Sequence, residues 1–241
     1  MAVVKDNPLF KHLHLIKHNR DYRFETGKVL IEGDKFVHDL CAFAPYHHLL
    51  VLENYPLPAT IDETHVMRVS ESVMHKITSL PSVPQMVGEF DLPEQKSLEG
   101  LDWVLVLDRL QDPGNVGTLI RSAFALGWQG VFLIDCVDPF NDKALRAARE
   151  AAFKLPYRMG TQAEFLSYLE TQNLPAFRAD MGGKKPSPLS KGALIIGNEG
   201  QGIHPSLKCF PAVTVAMKKG IESLNAATAG SILMYALREE L

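Results

Sequence analysis

Two periods alternate along residues 103 to 134. Trp103-Val-Leu-Val-Leu107 is a short unbroken apolar run rich in β-branched residues, and the turn chemistry of Asp112-Pro113-Gly114-Asn115 closes it, which predicts a buried strand. Leu119, Ile120, Ala123, Phe124 and Leu126 then recur at helical spacing up to Gly127, a natural helix stop, and Val131 to Ile134 returns to the strand pattern. The stretch reads as one strand-loop-helix-strand unit. Its connection is more polar than a loop requires, because Asp112, Asn115 and Arg121 fall between the strand end and the first turns of the helix. In open parallel sheets that edge is where ligands bind.

The same reading orders the rest of the chain. Asn7-Pro8 predicts a helix start, with Leu9, Leu13 and Ile16 as its apolar stripe and Lys11, Lys17 and Arg20 among the basic residues of its other face. A strand at Val29 to Ile31, a helix from Asp34 to Phe43, strands at Leu49 to Leu52 and Val66 to Val69, a helix opened by Ser70 and a strand around Met86 to Phe90 make a small α/β domain over residues 1–92. Residues 93–100 are polar and aperiodic and serve as a linker to a second domain, 101–241. There a helix from Asp142 to Phe153 carries Lys143, Arg146, Arg149 and Lys154. It is followed by a helix from Ala163 to Leu169, a strand at Ala176 to Ala179 and a glycine-lysine loop at Gly182 to Lys185. A buried strand, Ala193 to Ile196, runs into Gly197-Asn-Glu-Gly-Gln-Gly202; Ala212 to Met217 is the last strand and Asn225 to Arg238 the last helix, whose first turns are rich in small residues. Periodicity alone draws an unknotted doubly wound parallel sheet.

Composition narrows the classes. A chain of 241 residues with 46% hydrophobic and 22% charged residues is an ordinary globular protein. It has no apolar run of about 18 residues and no secretory core at its N-terminus, so the expectation is a cytoplasmic protein without a membrane partner. Cys41, Cys136 and Cys209 lie far apart without a CxxC pair, which predicts buried reduced thiols and no zinc site. His204 and the pair His47-His48 likewise show no ligand spacing. The net charge is -3, yet residues 1–28 carry six Lys or Arg against three Asp or Glu, a local basic run of the kind that contacts phosphates and equally of the kind found on a solvated helix face.

Three polar clusters each follow a strand. The glycines of Gly197 to Gly202 are spaced GxxGxG and not GxGxxG, which speaks against a dinucleotide fingerprint and a nicotinamide-dependent oxidoreductase. Glu199 within that turn would repel a pyrophosphate. The cluster Lys218 to Asn225 joins the last strand to the last helix, where Ser223 or Asn225 serves as a helix cap or as a ligand contact. Strand ends of a parallel sheet converge, so Asn115, Arg121, Glu199, Ser223 and Asn225 are expected around one pocket.

Taken in order, Asp112-Pro-Gly-Asn-Val-Gly-Thr-Leu-Ile-Arg-Ser-Ala123, Gly197-Asn-Glu-Gly-Gln-Gly-Ile203, and Met217 with Glu222-Ser-Leu-Asn225 resemble the three motifs of the SpoU-type RNA ribose 2′-O-methyltransferases of the SPOUT class. The resemblance covers residues 101 to 241. Residues 1–92 are more loosely similar to the ribosomal-protein-like α/β domain that binds substrate in many of these enzymes, including the strand end Ile31-Glu-Gly33. The resemblance implies S-adenosylmethionine as methyl donor, no metal, a C-terminal trefoil knot, and a homodimer that completes each active site. It implies Arg121, Asn115, Glu199, Ser223 and Asn225 as catalytic residues. The methyl-donor pocket falls to Gly197, Val215, Leu224, Ile196, Gly202, Ile203 and Met217. RNA contacts fall to Arg146 and Lys143, with Lys11, Lys17 and Arg20 added from the basic first helix. Ala216 stands where the family usually has proline, and Ala148 and Glu150 where it has serine and glycine. Ribosomal RNA is the expected substrate, transfer RNA the runner-up, and an inactive RNA-binding protein of the same fold the alternative of a different class.

Overall fold

The computed structural model describes residues 7–78, 80–218, 220 and 223–238. Of the residues singled out above, Lys219, Ile221 and Glu222 lie outside that range. Two compact units emerge: one runs to Pro93 and takes in Phe140–Leu145, the other comprises Glu94–Pro139 and the chain from Arg146 onward. No helix among the described residues is long and apolar enough to cross a membrane.

The first unit opens with α1 (Pro8–His18) and α2 (Arg20–Thr26), the second of which periodicity did not predict. Asn7 and Asn19 each cap a helix by accepting a backbone N–H, from Leu9 and Tyr22. The unit continues with β1 (Lys28–Glu32), α3 (Asp34–Cys41), β2 (Tyr46–Leu52), β3 (Val66–Val69), α4 (Glu71–Ile77) and β4 (Met86–Asp91), and its sheet runs in the order β1-β4-β2-β3. Leu13 and Ile16 of α1 pack with Leu30, Leu50, Val87, Met74 and Ile77 in its core. One expectation fails here. Lys17 does not face solvent: only 8% exposed, it holds Glu32 at 2.6 Å and donates to the carbonyl of Ile77. Residue 17 is one turn on from Leu13, so the helix carries it into the apolar stripe, and it is withdrawn as an RNA contact. Lys11 and Arg20 are exposed.

The second unit consists of β5 (Trp103–Asp108), α5 (Pro113–Ala125), β6 (Gly130–Ile134), β7 (Tyr157–Gly160), α8 (Gln162–Gln172), β8 (Ala176–Lys184), β9 (Gly192–Gly197), β10 (Ala212–Val213) and α9 (Ala226–Leu237); between β6 and β7 lie the short helices α6 (Asp142–Ala148), whose residues 142–145 belong to the first unit, and α7 (Ala151–Lys154). Its six strands run β10-β8-β9-β5-β6-β7, all pairs parallel. Val104, Val106, Phe132, Ala193 and Ile195 pack with Phe165 and Leu169 of α8 on one face. Leu105, Leu107 and Ile196 alternate to the other, where α5 and α9 pack together.

Several boundaries differ from the sequence pattern for local reasons. The expected helix from Asp142 to Phe153 is broken because Arg149 adopts φ 55°, a left-handed value. The Gly182 to Lys185 loop is instead the end of β8. A Cβ at Gly183 would lie 2.6 Å from the carbonyl carbon of Ala212, so glycine is what lets β10 pair there. The last strand, expected to reach Met217, stops at Val213, and the chain beyond it leaves the sheet to become a cavity wall. Of the thiols, only Cys136 is fully buried, and burial pushes it up to about 12; Cys41 is half-buried and Cys209 exposed.

Candidate active site

The C-terminal ends of β5 and β9 are in register, Asp108 beside Gly197, and each feeds a polar connection. After β5, Asp112 caps α5 by accepting the N–H of Asn115 at 2.8 Å, which sets Asn115 in the first helical turn. After β9, Gly197 to Gly202 turns tightly: Asn198 Oδ1 accepts the N–H groups of Gly200 and Gln201, and the N–H of Gly202 bonds back to the Asn198 carbonyl. A Cβ at Gly197 would meet Ile203 Cδ1 at 2.7 Å, so the chain can fold onto itself there only with glycine.

The second of these connections, the end of β8, Val213 to Met217, Ser223 to Asn225 and the first turns of α9 line a cavity of about 520 Å³; Asn115, expected at the same pocket, is not part of that lining. Ile196, Gly197, Gly202, Ile203, Val215, Met217 and Leu224, the seven residues expected to hold a methyl donor, all line it. Glu199, Ser223 and Asn225 line it too. Sequence reasoning missed the wall built by the end of β8, Ala179, Asp180 and Met181, and the α9 positions Ala226, Ala229 and Leu233. Asp180 lies just past the strand expected at Ala176 to Ala179 and before the expected glycine-lysine loop, in a stretch without a pattern of its own. The N–H of Gly182, against the opposing effect of burial, and the guanidinium of Arg178 hold its carboxyl below the usual range.

A directed hydrogen-bond chain links two residues of the lining, Asn225 and Glu199, through Asn115. Asn225 Oδ1 accepts the N–H groups of Ala227 and Thr228 at the start of α9, so its amide nitrogen must face outward, and it donates to Asn115 Oδ1 at 2.9 Å. That leaves Asn115 Nδ2 to donate to Glu199 Oε1, also at 2.9 Å. The helix cap thus fixes the polarity of the whole row. Asn225 is both the cap of α9 and part of the cavity lining. Among the described residues Oε2 of Glu199 has no protein donor. Arg121 is not brought to the cavity wall: six residues after Asn115 it points about 240° around the helix, and it is exposed without a hydrogen bond or ion pair among the described residues. Lys143 is exposed and Arg146 half-buried on α6. Among the described residues no three His, Cys, Asp or Glu side chains cluster as metal ligands would.

The cavity suits a nucleoside-bearing cation. Its volume is within the roughly 300–1,000 Å³ of small-molecule sites, its walls are aliphatic at Ile196, Ile203, Val213 and Leu233, and the carboxylate residues Asp180 and Glu199 belong to the lining. The profile of the SpoU rRNA methylase family matches residues 102–235, the whole of this site included. The chain belongs to the SpoU rRNA methylase family. This SpoU protein is 32% identical over 231 residues to the 23S rRNA (guanosine(2553)-2′-O)-methyltransferase RlmP of Bacillus subtilis strain 168, covering 92% of either chain. It is similar to the AdoMet-bound rRNA methyltransferase from Sinorhizobium meliloti, with a TM-score of 0.82 at 26% identity over 95% of this chain and 94% of that one. The SpoU methyltransferase AviRb from Streptomyces viridochromogenes, solved with AdoMet, shares the fold at a TM-score of 0.84 and 22% identity, over 95% and 96% of the two chains. The SpoU fold seen here is therefore the SPOUT α/β architecture with an additional N-terminal unit.

Proposed function

We propose that this chain transfers a methyl group from S-adenosylmethionine to a ribose 2′-hydroxyl of ribosomal RNA. The observation that carries the reading is the joining of the methyl-donor cavity to the row Asn225, Asn115 and Glu199 at one sheet edge. Similarity to a relative named for 23S RNA favours that molecule as the first substrate to try. When bound, the donor supplies an electrophilic methyl group on a sulfonium sulfur. Everything else falls to the protein, which must align the ribose oxygen, take its proton and exclude water.

Ile196, Ile203, Val213, Leu224 and Leu233 hold the apolar parts of the donor, and the carboxylates of Asp180 and Glu199 favour its positive charge over the neutral sulfur of the spent form. Asn115 occupies one oxygen of Glu199 and leaves Oε2 to accept the proton of the 2′-hydroxyl. Arginine stays charged at ordinary pH, so Arg121 acts as an anchor for the phosphate beside the target ribose. The exposed apolar residues Phe124 on α5 and Ile232 and Tyr235 on α9 lie on the packed helix pair. In this reading they seat a second copy of the chain, and the homodimer completes each site. Lys143, Arg146, Lys11 and Arg20 contact RNA backbone, and the reaction runs in the cytoplasm.

The test is transfer of labelled methyl from S-adenosylmethionine to unmodified ribosomal and transfer RNA, followed by mapping of ribose methylation. One methylated ribose in ribosomal RNA supports the reading; methylation of transfer RNA alone replaces the substrate; methylation of a base overturns it.

A further inference from the structure

The turn that carries Glu199 is held from outside by two residues that none of the three motifs includes. Asp108, the last residue of β5, is fully buried; its Oδ2 accepts the backbone N–H of His204 at 2.7 Å, just beyond the turn, and its Oδ1 accepts Arg109 Nε at 3.1 Å. Arg109 grips the turn at both ends. Its carbonyl accepts Asn198 Nδ2 at 2.8 Å, while Nη1 donates to Gln201 Oε1 at 3.0 Å and Nη2 to the carbonyl of Gly202 at 3.1 Å. Arg109 does this from φ 57°, a backbone state that a long side chain rarely adopts.

A strained residue is kept only where its surroundings over-determine it. Here the left-handed backbone aims the Arg109 carbonyl at Asn198 and the guanidinium at the far end of the same turn. A planar guanidinium has donors enough to bridge Asp108, Gln201 and Gly202 together, which a lysine ammonium cannot do with the same geometry. The negative charge of Asp108 is buried with a cationic partner at hand and two donors on its oxygens. The turn in question supplies Gly197, Asn198, Glu199 and Gly202 to the cavity wall.

We infer that Asp108 and Arg109 form a clamp that positions the Gly197 to Gly202 turn, and through it both the wall of the methyl-donor cavity and the carboxylate of Glu199. Arg109 is a positioning residue: it lies outside the cavity lining and acts through Asn198, Gln201 and Gly202. The assignment to donor binding rests on the methyltransferase reading; the clamp itself does not.

Arg109→Gly is the informative variant, because glycine accepts the positive φ and removes only the side chain. Arg109→Lys keeps the charge beside Asp108 and loses the fork. Two readouts are taken on each variant and on the unchanged protein: amide hydrogen exchange at Gly200, Gln201 and Gly202, and calorimetric binding of S-adenosylmethionine, with Tm as control for global folding. Arg109→Gly is expected to speed exchange in the turn and weaken binding roughly tenfold or more, the scale of losing a charge-assisted hydrogen bond. Arg109→Lys should fall between, and Gln201→Ala added to Arg109→Gly should cost no more than Arg109→Gly alone. Unchanged exchange in Arg109→Gly overturns the clamp. Faster exchange with unchanged binding overturns its role toward the donor. Should the unchanged protein bind no S-adenosylmethionine, the methyltransferase reading fails, and exchange still decides the clamp.

Discussion

A polar cluster in each unit uses its side chains in the opposite way from the other. In the first, Lys17 and Glu32 pair in the interior, Arg23 donates to the carbonyls of Ile16 and Lys17, and Glu89, 2% exposed, accepts from both His12 and His48. These groups satisfy one another inward. In the second, Asn115, Glu199 and Asn225 spend some of their bonding capacity on each other, while Glu199 and Asn225 also line a cavity. A charge in a sequence therefore announces neither surface nor substrate. What separates the two uses is whether a group's partners exhaust it.

The sharpest break of this comparison removes one partner of the interior pair. Lys17→Ala removes the ammonium that pairs with buried Glu32 at 2.6 Å and should destabilise the first unit by about 3–5 kcal/mol, measured by urea unfolding. The paired change Lys17→Met with Glu32→Leu should recover most of that loss. Neither should alter methyl-donor affinity, since the cavity is built wholly from the second unit.

Arg121→Ala tests the opposite case, an exposed charge with no structural partner among the described residues. Stability should hold while kcat falls on the order of 10²–10³-fold, as for the removal of a charge-stabilising donor. A fall in Tm without loss of kcat would place Arg121 with the structural charges of the first unit.

Asn225→Asp sharpens the contrast within one residue. Aspartate caps a helix as well as asparagine does and suits its positive end, so Tm should stay or rise. It cannot donate to Asn115, so the row loses its direction and turnover should drop roughly five- to tenfold, the scale of one hydrogen bond. Equal turnover would show that the row does not act.

The smallest effect is that of pH on the first unit. Burial pushes the Glu89 carboxyl up, but hydrogen bonds from His12 and His48 and their positive charge outweigh it and hold Glu89 below the ordinary carboxylate range. A depressed carboxyl contributes stability above its unfolded value, near pH 4.3, and that contribution is lost as pH falls through the lower folded value. Tm followed from pH 6 to pH 3 should fall less steeply at its acid end in the His12→Gln, His48→Gln protein than in the unchanged one.

Much of the second unit was legible because its signals are local. The run Trp103 to Leu107, the stop at Gly127 and the turn at Asp112 to Asn115 each carry their own physical reason, and the structure has β5, α5 and β6 where they indicate. The cavity was legible in part as a set of strand ends that a parallel sheet brings together: Glu199, Ser223 and Asn225 line it, and Asn115 and Arg121 do not. What escaped depended on distant partners. Lys17 is buried because Glu32 and the Ile77 carbonyl await it; β8 runs through Gly183 because β10 needs to approach; the strand after Ala212 ends early because the cavity needs a wall. Asp108 and Arg109 fall just past the apolar run Trp103 to Leu107, where no periodic or motif signal marks them. No periodicity reveals on which side a segment passes another, so the knot of the SPOUT class could come only from resemblance.

Calorimetric titration of S-adenosylmethionine against the unchanged protein and against Ala229→Phe, which puts a large side chain on the cavity wall, asks whether this cavity is the donor site. Saturable binding is expected for the unchanged protein and none for the filled cavity, with Tm of the two proteins alike. Equal binding by both would mean that the donor sits elsewhere, and the site described here would not be the active site.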